Sequence, residues 1–196
     1  MERWKAGPGQ REVRARVSFC PSTGSKNILR AVEGIGYPDK HHVSAAEGWL
    51  ELGDSLEAAR ELRRISNAAL GHPDVLEIRW RLHAARGQWD SALDVAKLVT
   101  TVAPERPSGW IHQSYSLHEM KRTAEAMQLL LPVVEQFPDE GIIAYNLACY
   151  ACQLGDTTGA KNWLQRASKA KGKMPLKEMA EQDPDLAPLW DYIRQM

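Results

Sequence analysis

No sign of charge dominates this chain: 25 lysines and arginines face 25 aspartates and glutamates over 196 residues. A body built to hold nucleic acid carries a strong positive excess, so that class is disfavoured. The chain also lacks any apolar run near the roughly 18 residues that a membrane span needs. Its first thirty residues have no apolar stretch of even about seven, the least a secretion signal uses. Three cysteines are few and odd in number. A disulfide framework is therefore not expected, and the cytoplasm is the default compartment.

The signatures of catalysis are missing as well. There is no G-x-S-x-G, and "STGSKN" from Ser22 fails the spacing of a phosphate-binding loop. Cys149 and Cys152 form a C-x-x-C, but it lies in mid-helix, away from the helix start that would favour a thiolate. No second such pair completes a zinc site. They are expected to serve as small apolar residues. His41 and His42 are adjacent, so on a helix they diverge by about 100° and cannot share an ion. His112 and His118, six apart, overlap poorly. No catalytic residue, cofactor or metal is expected.

What the chain does have is a period. "LGDSLEAARELRR" from Leu52 returns as "LGDTTGAKNWL" from Leu154, and thirty-four residues separate each of the intermediate copies. Ala58, Ala92, Ala126 and Ala160 are in strict register, as are Gly53, Gly87 and Gly155, with Lys121 at the fourth such place. Pro104 and Pro138 keep the same interval, each closing an apolar run. A fixed interval of this size marks a repeat array. Inside a unit the apolar residues follow a helical period, as with Ala92, Leu93, Ala96, Val99 and Val102. A second helical run precedes each, and the glycine separates the two. Pro73 and Pro107 begin units, where the first helical turn tolerates them. Pro132 falls inside a run and should bend or break it.

These residues resemble the tetratricopeptide repeat, whose units are helix–turn–helix pairs with small residues where the helices cross. The alanine register matches that crossing position. The large apolar position four residues on is Leu62, Leu130 and Leu164, with Ala96 the exception. Trp110 stands where the family often has Trp, and Trp80 occupies a site usually small. The resemblance implies an all-α, right-handed α-solenoid. Four units are expected at 39–72, 73–106, 107–140 and 141–172. A C-terminal cap of helices should follow at 173–196, where "DPDLAPLW" is similar to the tail of stand-alone bacterial repeat proteins. Asp183 before Pro184 is a good helix start there, and the tail should cover the end face made by Leu164 and Ala167. Residues 1–38 are expected to be a basic, poorly structured extension: Arg3, Lys5, Arg11, Arg14, Arg16, Lys26 and Arg30 outnumber Glu2 and Glu12, and Gly7, Pro8, Gly9, Pro21 and Gly24 punctuate it.

In that family the first helix of each unit lines a concave groove that holds peptides. The resemblance places Val43, Glu47 and Leu50 there, then Glu77, Arg81 and Ala84, then Ile111, Tyr115 and His118, then Tyr145, Cys149 and Cys152. Charge lies in the first two units and apolar or aromatic surface in the last two. The subfamily that grips the C-terminal carboxylate of chaperone tails uses Lys, Asn and Arg. Val43, Glu47, Ile78, Ser108 and His112 stand at those places here, so that partner is disfavoured. The expected function is a non-enzymatic module binding a protein or peptide segment in the groove. The alternatives are a self-associating scaffold, or a nucleic-acid adaptor acting through the basic N-terminus.

Overall fold

The structure is a computed structural model and describes residues 34–170 and 175–196. Most of the basic extension, residues 1–33, lies outside the described residues. Four helix pairs follow one another: α1 (Asp39–Glu51) with α2 (Ser55–Leu62), α3 (Pro73–Ala85) with α4 (Trp89–Val102), α5 (Pro107–Glu119) with α6 (Thr123–Leu130), and α7 (Gly141–Gln153) with α8 (Thr157–Lys169). The tail adds α9 (Leu176–Gln182), a 3-10 turn (Pro184–Leu189) and α10 (Trp190–Arg194). The chain is thus an all-α solenoid.

Local chemistry explains where the helices start and stop. Pro73 and Pro107 are first helical residues. Asp54 and Asp156 cap the second helices of units one and four by accepting backbone N–H bonds, from Leu56 and Glu57 and from Gly159. Gln88 and Arg122 hold the same place in units two and three without a side-chain cap. The proline inside the third unit does end its helix. α6 stops at Leu130, and past Pro132 the backbone tightens into a 3-10 turn at Val133–Glu135.

The turn between paired helices needs a left-handed residue. Gly53, Gly87 and Gly155 supply it with φ of 80°, 66° and 87°, and Lys121 adopts 66° at the equivalent place. A Cβ in that conformation costs roughly 1–2 kcal/mol against glycine. Lys121→Gly should therefore raise stability by about 0.5–1 kcal/mol, the unfolded chain's extra freedom offsetting part of the relief. A urea midpoint that falls on this substitution would contradict it.

The alanine register is the line along which helices meet. Ala58, Ala92, Ala126 and Ala160 are completely buried. Leu62, Ala96, Leu130 and Leu164, one helical turn on, are buried too. The helices approach closely between units as well: a Cβ on Gly109 of α5 would lie 2.9 Å from the backbone nitrogen of Thr100 in α4. Successive first helices (α1, α3, α5, α7) pack directly on one another, whereas successive second helices make at most marginal contact. An array drawn together along one row of helices curves toward that row, so the first helices form the concave side. The core of unit one begins before α1, since Ile35 is buried among Val43, Ala46, Ala58 and Leu62.

Candidate binding face

Along the concave side, side chains of neighbouring units pair across the joints. Between units one and two, Arg81 Nη1 donates to Glu47 Oε1 at 2.6 Å. At the end of unit two, just before α5, Arg106 Nη1 donates to Asp74 Oδ1 at 2.5 Å and lies 3.5 Å from Glu77 Oε1. Ser108 Oγ donates to Glu77 Oε1 at 2.7 Å. Burial pushes the Glu77 carboxyl above its usual range, against the pull of Ser108 and Arg106. The charges that the sequence places in the first two units are therefore engaged with one another.

Deeper in the same interface lies a ring stack. Trp80 is buried, its ring centroid 3.7 Å from that of His112 and the two planes 6° from parallel. Trp80 Nε1 donates to Ser116 Oγ at 3.0 Å. Tyr115 is half-buried, meeting Trp80 and Trp89 edge-on at 6.2 Å and 5.7 Å. Burial, with Glu119 beside it, pushes the Tyr115 hydroxyl well above its ordinary pKa. Val43 and Ala84 are core residues, and Leu50 and Ile111 pack half-buried against the core.

Burial, reinforced by the Arg81 charge, lowers the His112 pKa to about 3. The ring is neutral in the folded state, whereas an unfolded chain protonates near pH 6.5. The contribution to stability is thus whole above pH 6.5 and is lost as pH falls from there toward 3. Between pH 6.5 and 4.5 the loss should reach about 2–3 kcal/mol. Denaturant midpoints across that range check it against His112→Gln, which should show a flatter profile. Glu77, shifted upward, acts with the opposite sign, so the difference between the two proteins is the informative quantity.

In units three and four the concave side is covered. His118 Nε2 lies 3.0 Å from Asp185 Oδ2 and its Nδ1 lies 3.0 Å from Thr123 Oγ1. Tyr145 Oη donates to Asp183 Oδ2 at 2.9 Å, and Cys149 Sγ approaches the same oxygen at 3.6 Å. Gln153 Nε2 donates to the Asp185 carbonyl at 3.0 Å. Leu186 and Leu189 are buried in the core that includes Leu147 and Leu164. The surface expected to be open at His118, Tyr145, Cys149 and Cys152 is thus buried, with the C-terminal tail held against it.

The tail also covers the end face, where Leu164 and Ala167 share a core with Ala180 and Ile193. Sequence reasoning made the tail a cap for that end and Asp183 a helix start, which it is, but did not foresee the contacts of Asp183, Asp185 and Gln153. A weak signal was present: two aspartates around a proline, followed by leucine, form a motif with more acceptors than a cap requires. Cys149 and Cys152 are free and buried, and burial first, then Asp183 and Asp185, raise both thiol pKa values. The thiolate that metal or redox chemistry uses is disfavoured there. Among the described residues no three His, Cys, Asp or Glu side chains gather as a metal-holding group, and no helix is long and apolar enough to cross a membrane.

Solved structures share this architecture. MamA, residues 41 to the end, from Desulfovibrio magneticus RS-1 superposes with a TM-score of 0.60 at 18% identity, over 82% of this chain and 96% of that one. The MamA RS-1 ArsTM double mutant gives 0.58 at 14% identity, over 87% and 96%. No protein-family model and no curated protein matches the chain. At these identities the likeness is one of fold, the α-solenoid of paired helices.

Proposed function

We propose that the chain is a non-enzymatic protein-interaction module of the tetratricopeptide type, which holds a segment of a partner protein along its concave face. The observation that supports this is that the face already receives a stretch of polypeptide. Residues 183–189 lie against α7, and three inner-helix side chains, Tyr145, Cys149 and Gln153, direct hydrogen onto their oxygens. Units one to three offer a partner Arg81, half-buried in its pair with buried Glu47, together with Glu77 and Ser108, Ile111 and Tyr115. Mixed charge beside half-buried aromatic surface suits a peptide segment with both polar and apolar side chains.

The test exchanges the two charges of the first inter-unit pair. Glu47→Arg with Arg81→Glu keeps an ion pair in place and reverses the pattern a partner meets. Proteins captured from cell extract by the wild type should be retained about tenfold less by the exchanged variant, with helicity and melting unchanged. Equal capture by both would move the binding site off the concave face.

A further inference from the structure

The tail seated on units three and four displays what that surface recognises. Asp183 and Asp185 present carboxylates two residues apart, and each meets a different set of side chains: Tyr145 and Cys149 of α7 for the first, His118 of α5 for the second. The backbone between them is held as well. Gln153 donates to the Asp185 carbonyl, and Trp190 Nε1 donates to the Asp183 carbonyl at 3.1 Å. Leu186, immediately after, is completely buried. A cap needs apolar cover alone, and α9 and α10 already provide it over Leu164 and Ala167. Two side-chain carboxylates and a main-chain carbonyl, received by side chains of two different units, amount to recognition of an acidic motif.

We propose that units three and four form a docking surface for partner segments of the pattern Asp-x-Asp-Leu, which the chain's own residues 183–186 occupy until such a partner displaces them. This rests on the concave face being the binding surface. The occupant is a partner protein and not a second copy of the chain. An identical tail from another copy gains no contact and competes with one that is tethered, at an effective concentration on the order of millimolar. A partner whose segment continues along Tyr115 and the Glu47–Arg81 pair adds contacts that the tail does not make.

The experiment uses full-length protein and a fluorescein-labelled peptide of residues 182–190, QDPDLAPLW. Asp183→Asn with Asp185→Asn preserves the tail's shape and removes its charge. The peptide should bind this variant about tenfold or more tighter than it binds the wild type, and a peptide with both aspartates replaced by asparagine should lose that gain. Hydrogen exchange supplies the second readout. Tail amides should exchange faster in the variant, and faster in the wild type under saturating peptide. Unaltered exchange in the variant, or equal peptide affinity for the two proteins, overturns the proposal. So does a wild-type dimer that protects the tail amides, because the occupant would then be a second copy. The charge exchange at Glu47 and Arg81 lies outside this surface, so a failure here leaves that result standing, and the reverse also holds.

Discussion

Replacing Trp80 by alanine should cost about 3–5 kcal/mol, the range for deleting a buried aromatic side chain. Three losses coincide at this site. The indole is buried, it stacks on His112, and its Nε1 satisfies Ser116. These partners belong to the next unit, so the substitution strikes the joint between units two and three, and it also loosens unit two's own crossing, where Trp80 shares a core with Ala84, Ala92 and Ala96. In an array stabilised by nearest-neighbour joints, weakening one joint separates the transitions on its two sides. Denaturant unfolding should therefore shift and also broaden into two steps. Trp89→Ala, removing a half-buried ring that meets Tyr115 edge-on, is the control and should cost far less. A Trp80→Ala protein that unfolds in one step within about 1 kcal/mol of wild type would refute the joint.

Removing residues 175–196 should have an effect of similar or larger size. Ala180, Leu186, Leu189 and Ile193 leave the core with the tail. What they covered then faces water: Leu164 and Ala167 on the end face, Tyr145 and Cys149 on the concave side. Each fully buried aliphatic side chain contributes about 1.5–3 kcal/mol, so the three large ones together approach the whole stability of a typical domain. The truncated chain should aggregate or bind a hydrophobic dye at temperatures where the wild type is clear and monomeric. Light scattering that finds it monomeric and as stable as the full chain would show that the four pairs close on themselves.

The repeat was legible because its causes are local and recur. A helix crossing needs a small residue, and Ala58 to Ala160 announce it at a fixed interval. The turn needs a left-handed residue, and three glycines announce that; Lys121 does not, yet it adopts the same backbone. Position within a unit also identified which helices line the concave side. Its occupancy was hidden. Nothing about Tyr145 or Cys149 taken alone says that Asp183, 38 and 34 places further on, will lie against them. The tail obeys no interval, so no register fixes where it lands. The Trp80–His112 stack was hidden for a related reason, since a large ring in a usually small place is legible only with its neighbour in view.

The contact between His118 and Asp185 spans 67 residues, which gives it a meaning during synthesis. Paired helices and their neighbouring joints are short-range in sequence and can close as the chain emerges. The Asp185 carboxylate does not yet exist when His118 takes its place in α5. At about 5–20 residues per second, the ribosome adds the intervening chain in roughly 3–13 s. Every newly made molecule therefore passes through an interval with α5 made and the tail that covers its His118 still to come. On the proposed function, a ligand present during translation would meet that uncovered surface before the tail does, and a chain bound at that stage would never have to release its own tail.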